Sequence, residues 1–161
     1  MVKQILIEPH PILRKTAPDA TAEFLASAEF KTLAKNLIDT LYASDGVGIA
    51  APQIGESIAL CVIDKRFTED KKHDLILVNP VWIKATIATA WGEEGCLSVP
   101  DIWGKVKRYK KIKVKALDED GKPLNFVAEN FFARAIQHEV DHLHGILFID
   151  KAKDLYTFEK K

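Results

Sequence analysis

The segment His138-Glu139-Val140-Asp141-His142 has the residue types and spacing best suited to chemistry in this chain. Residues four apart share one face of a helix, so the two imidazoles are neighbours there. Phe131 and Ala135 fall on that same face, so the histidines point where the apolar stripe points, inward. Two inward imidazoles can ligate one metal ion, and the carboxylate between them can reach a water on that ion. A catalytic metal needs a third protein ligand and an open position. Downstream candidates fail. Gly145 fits the glycine of one extended protease motif, but Phe148 stands where that motif has its third histidine. The one glutamate beyond Glu139 is Glu159, close to the C-terminus, where chains fray. Upstream, Glu93-Glu94-Gly95-Cys96-Leu97-Ser98-Val99-Pro100 sets Cys96 in a short polar-flanked segment between strand-like runs. Gly95 and two acidic neighbours do not read as core strand, which argues against a merely buried thiol. A thiolate with two imidazoles suits Fe²⁺, Ni²⁺, Co²⁺ or Zn²⁺.

Several elements must hold these groups. From Thr21 to Ser44, Phe30, Leu33, Leu37 and Leu41 recur at spacings of three and four, a helical stripe that Asp45-Gly46 ends with C-cap chemistry. Gly46 to Gly55 reads as a glycine-punctuated loop or short strand. Ser57 to Asp64 and Leu75 to Asn79 read as buried strands, and Val81 to Ala90 is β-branched and partly alternating. Lys111 to Ala116 alternates strictly, and Asp120-Gly121 turns it into Pro123 to Val127 as a hairpin. Glu129 to His144 reads as the metal-site helix, closed by Gly145. Strands in the middle and helices near both ends predict an α+β fold. Its sheets should be mostly antiparallel around the C-terminal helix, with the N-terminal helix packed on the sheet.

The bulk composition narrows the function. The 161 residues suit a single catalytic domain spanning 1–161, with 47% hydrophobic and 29% charged residues. Lys+Arg and Asp+Glu are both 23, so there is no basic excess for a whole-domain nucleic-acid or membrane-surface role. The basic run Lys105 to Lys115 reads as the solvated face of a strand. Of two cysteines, Cys61 sits in an apolar run as a buried reduced thiol. No apolar run is long enough to span a bilayer, and the first residues read as neither leader nor transit peptide. A reducing cytoplasm is the expected location.

Three segments resemble the signature motifs of peptide deformylases: Gly46-Val47-Gly48-Ile49-Ala50-Ala51-Pro52-Gln53, Glu94-Gly95-Cys96-Leu97-Ser98 and Gln137-His138-Glu139-Val140-Asp141-His142. They occur in the family's order, and Pro9 to Arg14 is similar to the family's opening segment. The resemblance runs from about Ile5 to Asp150. It implies hydrolytic removal of the formyl group from N-formylmethionyl nascent peptides. Cys96, His138 and His142 would bind one divalent metal, in the family natively Fe²⁺ and often replaced by Zn²⁺ or Ni²⁺. Glu139 would act as general base and then acid. The Gln53 amide and the Leu97 backbone N–H would stabilise the oxyanion, one such donor being worth roughly 3–4 kcal/mol of barrier. Gly46 and Gly48 would admit the peptide backbone by strand addition. Val47, Phe131 and His138, with Ala135 beside them, would line the methionine pocket. Glu94 would either approach the substrate or hold its loop by hydrogen bonds.

The chain departs from the family pattern in two places. Many relatives carry an arginine after the cysteine motif, where this chain reads Asp101-Ile102-Trp103-Gly104, and an indole cannot donate like a guanidinium. Trp82, Trp91 and Trp103 are otherwise read as core or rim packing. Many bacterial members end in a longer basic helix used for ribosome docking. Lys151 to Lys161 leaves room for two or three helical turns, so association near the ribosome exit site should be weakened. Two rival readings stay open: a zinc endopeptidase using the His-Glu-x-x-His helix, and an inactive relative that only binds peptides.

Overall fold

In the computed structural model, which describes residues 1–157, the long N-terminal helical pattern resolves into two helices. The first, α1, spans Ala22–Leu25 and the second, α2, spans Ala28–Ser44, where the periodicity alone implied one helix from Thr21. Two hydroxyl caps divide them. Thr21 Oγ1 accepts from the Phe24 amide at 3.1 Å and Ser27 Oγ from the Phe30 amide at 3.2 Å, so each starts its own helix. Asp45 ends α2 in the left-handed conformation with φ 54°. The third helix, α3, spans Asn130–Leu143, within a residue at each end of the expected Glu129 to His144.

The described residues contain eight strands: β1 (Gly48–Ala50), β2 (Leu60–Ile63), β3 (Leu75–Lys84), β4 (Thr89–Cys96), β5 (Val99–Tyr109), β6 (Lys111–Leu117), β7 (Pro123–Glu129) and β8 (Lys153–Thr157). They form a five-stranded sheet in the order β1-β2-β3-β6-β7 and a three-stranded sheet in the order β4-β5-β8. All paired strands run antiparallel.

Side chains alternate across a strand, so β2 serves two cores. Leu60 and Val62 pack with Phe30, Leu33, Leu37 and Leu41 of α2. Cys61 and Ile63 pack on the other face with Ala133, Ile136 and Val140 of α3. A strand covered on both faces reads as a continuous apolar run, as Leu60 to Ile63 does. A third cluster, with Val99, Val106, Leu147 and Phe148, ties the small sheet to the segment after α3.

Three local readings change. Val81 to Ala90, read as β-branched and partly alternating, is divided between two strands, because β3 continues through Lys84 and β4 begins at Thr89. The chain bulges between Val78 and Val81, where Asn79 has φ 51° and its side chain exchanges two hydrogen bonds with Ala20 at 2.7 and 3.0 Å. Glu93 to Cys96, read as a short polar-flanked segment between strand-like runs, closes β4. The inward face of β4 carries a charged group, Glu94, instead of an apolar one, which hides the alternation that betrays strands. After Asp150 the chain forms the edge strand β8, while Phe158 to Lys161, including Glu159, lie outside the described residues. No helix among the described residues is long and apolar enough to cross a membrane.

Candidate active site

The two sheets deliver their chemistry to the inner face of α3. Sγ of Cys96 at the end of β4 and one ring nitrogen each of His138 and His142 lie within 4.8 Å of one another. Cys96 Sγ stands 3.3 Å from His142 Nε2. Sulfur and nitrogen atoms bound to one ion in a tetrahedron are on the order of 3.4–3.6 Å apart, so the donor set fits a single metal. Among the described residues, the buried Nδ1 of His142 and Oε2 of Glu139 have no hydrogen-bond partner.

Glu94 fixes the ring of His138, accepting at Oε1 from Nδ1 at 2.8 Å and leaving Nε2 to face Cys96 and His142. Its carboxylate is otherwise consumed by two guanidinium groups. Arg108 donates to both oxygens at 2.8 and 3.0 Å, and Arg134 donates to Oε2 at 2.6 Å. Arg108 reaches on to Asp141 Oδ2 at 2.6 Å, where Lys151 also pairs at 2.9 Å. Burial would raise the Glu94 carboxyl, but bonds from His138 and Arg108 hold it well below the usual carboxylate range.

Other shifts follow from the same surroundings. Burial, reinforced by positive charge at His138 and Arg108, pushes His142 well below the ordinary imidazole value, favouring its neutral ligand form. Burial would lower His138 too, but Cys96 and Glu94 outweigh it and favour positive charge between them. Burial pushes the Glu139 carboxyl up to about 7, with the Glu94 charge adding to the rise. A carboxyl poised there can both take and return a proton near neutral pH. Burial also raises the Cys61 thiol well above its usual range, which leaves it inert in the core.

The remaining expected residues meet at the same place. Gln53 is held by the Ala50 amide, which donates to its Oε1 at 2.9 Å. Its Nε2 faces Ser98 Oγ at 3.1 Å and Cys96 Sγ at 3.7 Å. Leu97 sits in the two-residue turn from β4 to β5. A cleft of about 630 Å³ opens above them, walled by Gly46, Val47, Leu97, Phe131 and Ala135. Phe131 is half exposed and leans on Phe67 with ring centroids 5.5 Å apart. His142 lies behind this wall, 1% exposed.

Gly48 has a steric role here. A Cβ on it would fall 2.8 Å from Glu139 Oε1 and 2.9 Å from its Cγ. Gly48→Ala should therefore displace the carboxylate while sparing the three donors. Turnover of the metal-replete variant should fall about 10²-fold, as expected for a catalytic group moved by an ångström. An unchanged kcat would show that Glu139 tolerates the shift.

Sequence reasoning did not single out Arg108 and Arg134, and it left Asp141 as a spacer. A signal for Arg108 existed. Within the basic run it alternates with Lys105 and Lys107 on the side of Val106, and the structure buries both Val106 and Arg108. Arg108→Ala should leave Glu94 and Asp141 short of a cation in the interior and cost roughly 3–5 kcal/mol of stability. Thermal or denaturant unfolding measures this directly, and a loss within 1 kcal/mol, about the worth of a surface pair, would make the network a surface-like one.

The fold and site define a mononuclear metal-dependent hydrolase. The Cys96, His138 and His142 donors could hold one ion, which would supply Lewis acidity, and the buried Glu139 carboxylate has an oxygen unpartnered among the described residues. The pattern of the family described as polypeptide deformylase matches residues 2–157, and the chain belongs to that family. It is 41% identical over 155 residues to a peptide deformylase of Desulforudis audaxviator, covering 96% of each chain. A class I type b peptide deformylase from Acinetobacter baumannii, solved with Met-Ala-Ser bound, superposes with a TM-score of 0.88 at 36% identity, over 94% of this chain and 98% of that one. A peptide deformylase from Legionella pneumophila gives 0.85 at 41% identity, over 96% and 88%.

Proposed function

We propose that residues 1–161 act as one catalytic domain that hydrolyses the formyl group from N-formylmethionyl nascent peptides, releasing formate in the cytoplasm. The observation that carries this reading is the convergence of Cys96, His138 and His142 beside the buried carboxylate of Glu139. Family membership and the Met-Ala-Ser complex of the Acinetobacter relative support a peptide substrate.

The three donors would hold one divalent metal, with Fe²⁺ as the native ion and Zn²⁺, Ni²⁺ or Co²⁺ able to replace it. Bound there, such a metal supplies Lewis acidity that makes water a nucleophile at neutral pH. Glu139 takes a proton from the attacking water and returns it to the leaving amine, so its protonation state is restored each turnover. Gln53 supplies a side-chain N–H to the developing oxyanion, and the Leu97 backbone N–H serves as a second donor. Val47, Phe131 and Ala135 receive the methionine side chain, while Gly46 and Gly48 let the peptide backbone approach. Glu94 acts by orienting His138; its two oxygens are already filled by His138, Arg108 and Arg134. Ribosome association is expected to be weak, because Lys153–Thr157 is committed to strand β8.

The test is anaerobic, iron-loaded enzyme with formyl-Met-Ala-Ser, acetyl-Met-Ala-Ser and an unformylated longer peptide, with products identified by mass spectrometry. Formate should be released fast and acetate far more slowly, because an added methyl would crowd against Gly46, Gly48 and Leu97 at the carbonyl. New internal termini on the unformylated peptide, abolished by Glu139→Gln, would favour an endopeptidase and remove this reading.

A further inference from the structure

A second cavity, of about 460 Å³, opens where β3, β4, β5 and α3 meet, and it shares no lining residue with the catalytic cleft. Small-molecule sites run to roughly 300–1,000 Å³, so this one has room for a ligand of modest size. Four cationic side chains line it: Lys84 of β3, Lys107 and Arg108 of β5, and Lys151 after α3. No aspartate or glutamate does. The chain's formal charges sum to zero, so this concentration of one sign is local.

The fold does not use all of this charge. Lys84 and Lys107 have no carboxylate oxygen within 4.0 Å among the described residues. Lys84 instead holds its ammonium 5.8 Å from the centre of the Tyr109 ring. Lys151 pairs with Asp141 at 2.9 Å. A guanidinium has five N–H donors, and Arg108 spends three of them, two on Glu94 and one on Asp141. Its other two have no acceptor among the described residues. Arg108 is 4% exposed and lines the cavity, which gives those donors room for an acceptor. The frame around them is fixed. The buried Gln137 amide accepts from the Tyr109 N–H at 3.1 Å and donates to the Tyr109 carbonyl at 2.9 Å, which ties α3 to β5 beside the cavity. Tyr109 packs edge-on against Trp82 with ring centroids 5.9 Å apart. Half-buried Trp82 and exposed Ile87 make the rest of the wall apolar.

We propose that this cavity is a binding site for a small organic phosphate of nucleotide size. A phosphoryl group brings about two negative charges and three acceptor oxygens, which suits several converging cations better than a single carboxylate does. Arg108 offers its planar fork to those oxygens, and Lys84, Lys107 and Lys151 act as point charges. Trp82 and Ile87 receive the organic part. Lys84 and Lys107 are exposed, so each adds a few-fold to affinity, and their combined effect fades as salt screens it.

The experiment is calorimetric titration of the zinc-loaded full chain with adenosine 5′-monophosphate, inorganic phosphate and adenosine. The nucleotide should bind saturably, with an affinity that falls as salt rises, and phosphate and adenosine should each bind about tenfold more weakly or worse. The double variant Lys84→Ala/Lys107→Ala should weaken the nucleotide about tenfold while keeping the wild-type melting temperature and the wild-type rate of formate release from formyl-Met-Ala-Ser. The nucleotide should not compete with that peptide, because cavity and cleft share no residue. Competitive inhibition that the double variant leaves unchanged would put the nucleotide in the cleft and overturn the site. So would the absence of saturable binding, or an affinity for adenosine or for phosphate equal to that for the nucleotide. Binding decides the matter whether or not the cleft releases formate.

Discussion

Glu139→Gln should keep the fold and the bound metal and lower deformylation by about 10²–10⁴-fold, the usual contribution of a positioned general acid–base group. The substitution changes almost no volume. Glu139 is 4% exposed and packed against Gly48, so a side chain of the same shape occupies the same place. What it loses is the ability to accept a proton. The wild-type carboxylate has an oxygen with no partner among the described residues and a burial-raised pKa of about 7, both suited to taking a proton from water. Turnover that remains would come from the Gln53 and Leu97 donors and from substrate positioning, which act independently of the base. The measurement is formate release beside metal content and a melting curve for the same preparation. Near-normal turnover with metal retained would mean that another group is the base.

Cys96→Ala should lose tightly bound metal, with a drop in affinity larger than the roughly 10–100-fold that follows loss of an outer partner of a ligand. The donor set within 4.8 Å contains one sulfur and two nitrogens, so the variant keeps two of three donors. The polypeptide should still fold. Cys96 only borders the cluster of Val99, Val106, Leu147 and Phe148, and α3 keeps its own core contacts with β2 and β6. Metal analysis after gel filtration, paired with formate release, separates loss of metal from loss of chemistry. Full retention of metal would remove Cys96 from the ligand set.

Fold and site were legible in the sequence wherever a local rule had a single solution. Helical spacing places His138 and His142 on one face, and the apolar residues of α3 say which way that face points. Alternation and turn residues identify β6 and β7 and their hairpin at Asp120-Gly121. Cys96 was the upstream candidate for a third donor, and the structure brings its Sγ to the two histidines from 46 positions before His142. The sequence by itself therefore pointed to the class of chemistry and to the donors that the fold brings together, because residue type and helical period are local properties of the chain.

Tertiary structure alone decided the rest. The strand character of Glu93 to Cys96 depends on pairing with β5, and its inward residue is a carboxylate neutralised by arginines from β5 and α3. No local pattern announces a buried charge whose partners are 14 and 40 residues away. The break at Ser27 turned on which of two hydroxyls capped which turn, and α2 starts where Ser27 meets the Phe30 amide. Strand β8 exists because the β5 edge offers unpaired backbone groups to the chain's last described residues. Hydrogen bonds between strands and charge pairs across sheets join residues far apart in the chain. Their energies are settled by burial and geometry that the order of residues does not state.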